Sequence, residues 1–521
     1  MRRLPKPVIV AMAVAAAAAT IAACSSSSGT SAGSIASTSS SAGGRVTLSW
    51  WNNATADPLK GVWVSAITAW HPTIGPRFLR KFTRGVSTMM KRTRTAAIAA
   101  LGLGVALAAS ACAGGGSSSG GSGSSSSGKV TLTFWTNATP GPGLTYFQNA
   151  IKTFDTLHPN VTIKMQNIQN EDYDGKLQTA LNSNSTPDIF FQRGGGKMLA
   201  MVNASKVQPL TLTDADKQNV SAAAVASESI NGKVYAIPLD VQPEGIYYSK
   251  DLFAKAGITA TPTTIPELEA DVAKLKTSGV APIAVGAKDA WPAAHWYYNF
   301  ALRECSQATM NTTGTTLKFT DPCWTKAGDD LAAFLKVKPF QAGFLTTAAQ
   351  VGAGSSAGLL ANHKAAMELM GAWDPGTIQT LTPNQKPLPD LGWFPFPAVP
   401  GGQGDPSAMM GGIDGYSLSP NAPKEAFEFL EFLVTPDQQK LYSQAFVTIP
   451  VNKASQSVVT QPYSVSALEA LNKAGYTMQF LDTQYGQNVG NAMNAAVVDL
   501  FAGKGTPAGI VSATSEAAAK G

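Results

Sequence analysis

Residues 232–250 read GKVYAIPLDVQPEGIYYSK, and this stretch decides how the 521-residue chain is organised. It contains one apolar run that ends at Pro238, a second at 246–248, and the start of a helix near Asp251. Prolines and polar side chains between two such runs are typical of a chain that leaves one lobe and enters another. Small-molecule sites commonly lie in the cleft at such a crossing. The polar side chains expected to face this cleft are those of Asp240, Gln242 and Glu244.

Several motifs resemble those of one protein family. The patterns G-K-x-Y-x-[IL]-P and Y-[YN]-x-K-D-L-F-x-K-A-G occur at 232–238 and 247–257. Further motifs in matching order are PDIF at 187–190, AAM with GAW between 365 and 373, GG with EAFEFL between 411 and 430, and FAGK at 501–504. Over residues 129–520 the chain therefore resembles the family 1 extracellular solute-binding proteins, which are the capture subunits of ABC importers, mostly for sugars.

The formal charge of +6 does not indicate an anionic partner. Residues 1–111 hold 12 of the 39 Lys and Arg residues but only one of the 33 Asp and Glu residues, which is Asp57. The remainder of the chain is therefore acidic, and no nucleic-acid partner is expected.

The N-terminal part contains a duplicated leader. Basic residues, an apolar run and a lipobox ending at Cys24 form a bacterial lipoprotein signal, and the same pattern recurs with a lipobox ending at Cys112. Each is followed by a flexible Ser/Gly tether and then by a similar strand segment, since residues 45–58 and 129–142 are identical at eight of fourteen positions. We interpret residues 1–111 as a leader region that includes a truncated paralogue of the protein's own beginning. A doubly tethered N-terminal extension is the alternative.

This leader predicts an exported protein that is lipid-anchored on the outer face of the bacterial cytoplasmic membrane. Lipidation is expected at Cys112, with Cys24 as the alternative. The remaining cysteines, Cys305 and Cys323, lie in the exported region, where an oxidising environment favours a disulfide over two buried free thiols. Because no His, Cys and carboxylate residues show metal-ligand spacing, neither a metal nor a cofactor is expected.

The order of elements from residue 129 is β-α-β, which predicts a parallel sheet covered by helices. Ligands in open α/β sheets bind beyond the carboxyl ends of the strands. Candidate ligand-binding residues are therefore the polar and aromatic side chains that follow two of these strands, namely Trp135, Asn137, Gln192 and Arg193. The glycines at 194–196 match no nucleotide-binding fingerprint, and we interpret them as a turn that lets a ligand approach the backbone closely.

The second half of the chain supplies further candidates. Trp291 and His295 belong to an aromatic cluster at a helix start, although such clusters more often pack in a core. The family resemblance favours Trp373 as a platform for a sugar ring, with the lobe core as the alternative location, and Asp374 as an acceptor for its hydroxyl groups. Asp414, in the segment GGIDG, is expected to reach the cleft from the first lobe.

Binding without catalysis is the favoured function. Asp240 and Glu244 could form the paired carboxylates of a secreted glycoside hydrolase, but the separation that this chemistry needs is spatial. The G-x-S-x-G match at 354–358 lies in a loop of small residues rather than at the end of an apolar strand.

The expected fold class is α/β, with a two-lobed, type II periplasmic-binding-protein-like architecture whose hinged lobes each have a central sheet covered by helices. The approximate limits are 112–128 for the tether, 129–240 and 399–440 for lobe 1, and 241–398 and 441–521 for lobe 2. The resemblance implies a monomer that captures a mono- or oligosaccharide between its lobes and delivers it to ABC permeases. A receptor for a peptide or polyol is the alternative.

Overall fold

A computed structural model describes residues 128–183 and 185–520. The duplicated leader, both lipobox cysteines and most of the tether lie outside these residues. Within the described residues, none of the helices combines the length and apolar character that crossing a membrane requires.

The chain alternates strands and helices, as the sequence predicts. The strands are β1 (Val130–Thr136), β2 (Val161–Asn167), β3 (Ile189–Arg193), β4 (Ser229–Ile230), β5 (Lys233–Val234), β6 (Ile237–Ser249), β7 (Ala281–Ala284), β8 (Ala365–Gly371), β9 (Leu391–Phe394), β10 (Met409–Leu418), β11 (Ile449–Pro450) and β12 (Thr477–Met478). The helices are α1 (Gly141–Leu157), α2 (Asn170–Asn182), α3 (Gly195–Asn203), α4 (Asp214–Asn219), α5 (Ala222–Ser227), α6 (Lys250–Lys255), α7 (Ile265–Thr277), α8 (Trp291–Glu304), α9 (Gln307–Thr316), α10 (Cys323–Lys336), α11 (Ser356–Ala361), α12 (Asp374–Leu381), α13 (Lys424–Leu433), α14 (Pro436–Phe446), α15 (Pro462–Lys473), α16 (Leu481–Gln484), α17 (Gln487–Phe501) and α18 (Pro507–Ala519).

Local sequence accounts for these elements. In β1, Leu132 and Phe134 alternate with exposed residues and are fully buried, as expected for a strand with one face on the core. In α1, Phe147 and Phe154 recur at helical spacing and pack inward. The start of α7 is set by a capping box, in which Thr264 and Glu267 each bind the other's backbone N–H.

One ladder of strands runs through both lobes in the order β2-β1-β3-β10-β6-β8-β7. Strands β1, β2 and β3 are parallel, whereas β10 is antiparallel to both β3 and β6. The α/β fold class predicted from the sequence is confirmed.

The crossing at 237–249 differs from the two separate strands that the sequence suggests. β6 is one strand of 13 residues, and its two halves have different partners. Residues 237–243 pair with β10 in lobe 1, while residues 244–249 pair with β8 and β9 in lobe 2. Pro238 is accommodated beside a bulge in β6, where Leu239 has no partner in β10 because Pro238 pairs with Gly415 and Asp240 with Asp414.

Each lobe has its own apolar core. The lobe 1 core includes Phe134 and Phe429, and the lobe 2 core includes Trp296 and Phe334. Tyr442 belongs to the lobe 1 core, although the approximate boundary at residue 440 assigns it to lobe 2.

Lobe 2 contains the disulfide between Cys305 and Cys323. Cys305 follows the end of α8 and Cys323 begins α10, so the bridge closes the segment that contains α9.

Candidate functional site

Polar side chains gather where β1 and β3 end in lobe 1, and together with an aspartate of β10 they form what we call the polar patch. Its members are Asn137, Asn170, Asp174, Arg193 and Asp414. Asn170 begins α2 and accepts hydrogen bonds from Nδ2 of Asn137 at 3.5 Å and from Nη2 of Arg193 at 2.5 Å. The Arg193 guanidinium also lies 3.5 Å from Oδ1 of Asp174 and 3.8 Å from Oδ1 of Asp414. The patch therefore presents both donors and acceptors for ligand hydroxyl groups.

In the polar patch, the Arg193 guanidinium is paired with two carboxylates, those of Asp174 and Asp414. Burial lowers the pKa of Arg193, but the carboxylates of Asp174, Asp414 and Asp482 outweigh this effect and raise it, so the guanidinium stays protonated. Burial raises the pKa of Asp414 to about 6, while Arg193 opposes the rise. Asp414 is therefore mainly ionised at neutral pH. The side chains of Arg193 and Asp414 remain 21% and 23% exposed and can reach a ligand.

Aromatic side chains of lobe 2 form a second group, which we call the aromatic wall. Its members are Trp291, His295, Trp373 and Phe480. The Trp373 ring lies 6.1 Å from that of Trp291 and 5.8 Å from that of Phe480, and His295 stacks on Phe480 at 4.5 Å.

Trp373 has the geometry of a platform. A Cβ placed on Gly371 would lie 2.0 Å from the indole, so one face of the ring covers Gly371. The side chain is nevertheless only partly buried. An apolar ring surface is thus available to the C–H face of a sugar.

The polar patch and the aromatic wall are brought together by β10. A Cβ on Gly412 would lie 3.1 Å from the ring of Phe480. Asp414 is two residues further along the same strand, and residues two apart in a strand share a face. The two groups therefore lie near one another along β10, close to the boundary between the lobes.

The polar residues of the crossing strand are buried. Asp240, Gln242 and Glu244 are 1–2% exposed. Asp240 accepts hydrogen bonds from Nε2 of Gln242 at 2.6 Å and from the hydroxyl of Tyr442 at 3.0 Å.

Glu244 connects the crossing strand to the aromatic wall. It bonds to Nδ1 of His295 and accepts a hydrogen bond from Nδ2 of Asn299 at 2.6 Å. Its backbone pairs with Gly371, the residue under Trp373. Glu244 and His295 therefore hold the wall in place, and both side chains are buried rather than open to the cleft.

Asp374 is fully buried behind Trp373. Neither carboxylate oxygen has a hydrogen-bond partner among the described residues. Burial raises its pKa to about 8, and burial together with repulsion from Asp374 raises the pKa of Glu368 well above its usual range. At neutral pH the Asp374 carboxyl is therefore largely protonated.

Two of the residues predicted from the sequence to bind ligand, Trp135 and Gln192, pack inside lobe 1. Trp135 packs against the lobe 1 core. Gln192 is 3% exposed, and its Oε1 accepts a hydrogen bond from the backbone N–H of Arg193. At the glycine turn, a Cβ on Gly196 would lie 2.7 Å from the Gln484 carbonyl oxygen, so the backbone that approaches this turn closely belongs to lobe 2.

Sequence reasoning missed Asn170, Asp174 and Phe480. Asn170 follows the carboxyl end of β2, so the rule that selected Asn137 could also have found it. Phe480 precedes a four-residue helix and belongs to no motif, and only its tertiary contacts reveal it.

Two other constellations do not form a second site. Ser356 of the G-x-S-x-G match is fully buried and donates a hydrogen bond to the Ala349 carbonyl at 3.0 Å, which does not suit a nucleophile. The potential ligand atoms of Asp251, His363 and Asp390 lie within 4.8 Å of one another, but Asp390 already accepts hydrogen bonds from Ser249 and the Asp251 N–H.

Comparison with known proteins identifies the family of the chain and several proteins of similar sequence. The family described as bacterial extracellular solute-binding protein matches residues 137–440. An uncharacterized ABC transporter extracellular-binding protein of Pyrococcus horikoshii is 25% identical over 390 residues, covering 71% of this chain and 82% of its own. The melibiose/raffinose/stachyose-binding protein MelE of Bacillus subtilis is 23% identical over 337 residues, covering 61% and 73%.

Among solved structures, the chain is similar to one described in work on xylan utilization by Caldanaerobius polysaccharolyticus. The TM-score is 0.68 at 27% identity, and the match covers 74% of this chain and 99% of the other.

Proposed function

The chain belongs to the family of bacterial extracellular solute-binding proteins, and from this premise we propose that it captures a mono- or oligosaccharide in the cleft between its lobes. The observation that best supports a saccharide ligand is the placement of the aromatic wall beside the polar patch. A sugar has an apolar C–H face and a rim of hydroxyl groups, and these match an exposed indole and a set of paired donors and acceptors. The similarity to MelE, which is named as a melibiose/raffinose/stachyose-binding protein, supports this ligand class.

The lobes close over the ligand, which stabilises the closed form in proportion to its contacts with both lobes. The closed protein then delivers the saccharide to ABC permeases. Binding proceeds without catalysis, which the similarity to binding proteins supports.

A calorimetric and thermal-shift screen over monosaccharides, oligosaccharides, peptides and polyols tests the proposal. We expect at least one saccharide to raise the melting temperature and to be recovered unchanged after incubation. Binding of a peptide with no saccharide binding would contradict the proposed ligand class.

We further propose that the mature protein is a monomer that begins at a lipid-modified Cys112, a residue outside the described part of the chain. Its tether would hold the receptor at the outer face of the cytoplasmic membrane. Mass spectrometry of protein extracted from membranes should find no peptides from residues 45–80. Detection of such peptides in the mature protein would instead support anchoring through Cys24.

A further inference from the structure

Two carboxylates from opposite lobes, those of Glu171 and Asp289, are held by one segment of the chain. Glu171 lies in the first turn of α2, next to Asn170 of the polar patch, and Asp289 lies two residues before Trp291 of the aromatic wall. Oδ2 of Asp289 accepts the backbone N–H of Ala349 at 2.7 Å. Oε1 of Glu171 accepts Nε2 of the next residue, Gln350, at 3.4 Å. Adjacent residues of one segment thus bring the two negative charges together.

The charge of Glu171 affects the ionisation of Asp289. Burial and the charge of Glu171 raise the pKa of Asp289, although the Ala349 N–H and the charge of Lys288 lower it. Glu171 itself is exposed and Asp289 is partly exposed, so both carboxylates are accessible to a ligand that approaches from solvent.

Cations deeper in the cleft are already paired. Arg193 faces Asp174 and Asp414 within 4 Å and is also influenced by Asp482. Nζ of Lys197 lies 2.7 Å from Oδ2 of Asp174. An anionic group on a ligand would therefore meet an excess of carboxylates.

Resting on the proposed saccharide function, we propose that Glu171 and Asp289 make the cleft a charge filter, which admits saccharides without anionic groups and rejects uronic acids and sulfated or phosphorylated sugars. The filter acts by repulsion, because an ionised ligand group enters a partly desolvated space in which carboxylates outnumber cations. Selectivity of this kind requires no additional contact with the accepted sugar.

Fluorescence quenching tests the filter without any sugar. The emission of Trp373 is obtained as the difference between the purified protein and its Trp373→Phe variant. The measured quantity is the ratio of the iodide quenching constant to the caesium quenching constant. We expect this ratio to be lower for Trp373 than for free N-acetyltryptophanamide, because iodide is an anion and caesium is a cation. In the Glu171→Gln/Asp289→Asn double variant, iodide quenching should rise about two- to threefold, while quenching by neutral acrylamide should not change.

The control for a general charge effect is Glu516→Gln, on helix α18, which removes a carboxylate outside the cleft. Equal quenching by iodide and caesium in the unaltered protein would overturn the proposal. So would a double variant that keeps the unaltered ratio, because the selectivity would then not come from Glu171 and Asp289. The single variants give the same readout if the double variant does not fold.

A second experiment compares the binding of neutral saccharides with that of their acidic counterparts. Affinities are compared for glucose with glucuronate, galactose with galacturonate, and xylotriose with its glucuronic acid-bearing tetraose. We expect at least tenfold weaker binding of each acidic member, and a smaller difference in the double variant. Tighter binding of an acidic member would overturn the filter. If neither member of any pair binds, the saccharide function fails, while the quenching measurement still decides the filter.

Discussion

At the scale of single residues, two tryptophans near the crossing differ in exposure although the sequence gives them similar surroundings. Trp393 is 6% exposed and lies against Gly245, where a Cβ would come within 2.3 Å of its ring. Trp373 covers Gly371 in the same manner, but its ring remains partly exposed beside Trp291 and Phe480. Only the tertiary arrangement shows which of the two tryptophans keeps part of its ring exposed.

The Trp373→Ala variant should lose most saccharide affinity while the unliganded protein loses little stability. An aromatic contact carries roughly 0.5–1.5 kcal/mol beyond its buried area, and loss of the buried ring surface adds to this. The matched variant Trp393→Ala should instead cost about 3–5 kcal/mol of unfolding free energy, because it removes a buried ring. Calorimetry with sugar and thermal melting without it measure both effects. A collapsed melting temperature for Trp373→Ala would place that ring in the core.

Asp374 makes stability depend on pH. Its pKa of about 8 lies above the unfolded value near 4, so the folded protein binds this proton more tightly. The stabilisation is complete below about pH 4 and is lost as the pH rises through about 8, by on the order of a few kcal/mol. Asp374→Asn should flatten this fall in urea unfolding at several pH values. The same substitution at Asp437, which is 90% exposed, should leave the slope unchanged, and equal slopes for both variants would contradict the assignment.

At the scale of elements, the sequence predicted where the chain changes lobes but not the form of the crossing. Pro238 lacks a backbone N–H, and this property favours a strand end. In the folded protein a bulge at Leu239 adjusts the pairing of β6 with β10 at this point, so β6 continues. The pairing of β6 with β10 joins residues that are far apart in sequence, so local propensity does not predict it. The positions of Asn137 and Arg193 could be predicted because each follows from the end of a strand, which is a local signal. The position of Phe480 could not, because it depends on contacts with residues far away in sequence.

The disulfide should stabilise lobe 2 mainly by restricting the unfolded chain. Its cysteines are 18 residues apart, and a loop of this length corresponds to about 3 kcal/mol in the chain-entropy description. The Cys305→Ala/Cys323→Ala variant should melt at a lower temperature than the oxidised protein. Reductant should lower the melting temperature of the unaltered protein but not that of the variant. Two free thiols detected by alkylation of the denatured, unreduced protein would contradict the bridge.

At the scale of the whole molecule, the order of motifs along the chain was enough to predict two α/β lobes, because each motif marks a strand or a helix start of known type. Contacts between the lobes were beyond such reasoning. The glycines at 194–196 looked suited to ligand approach, yet a Cβ on Gly195 or Gly196 would press on the backbone of residues 483–486. A turn without side chains therefore lets the two lobes come together at the rim of the cleft.

This contact predicts that a methyl group on the glycine turn opposes closure. The Gly196→Ala Cβ would lie 2.7 Å from both the Gln484 carbonyl oxygen and the Gly486 nitrogen, so the lobes must separate slightly. Overpacking of this kind costs roughly 1–3 kcal/mol, and if the closed form bears it, saccharide binding weakens by about 5- to 150-fold. Gly175→Ala is the matched control in lobe 1, since its Cβ would meet nothing within 4 Å. We expect Gly196→Ala to lower affinity, to reduce the compaction that sugar causes in small-angle scattering, and to leave the unliganded melting temperature unchanged. A lowered melting temperature with unaltered affinity would place the contact in a hinge that stays packed in the open and closed forms alike.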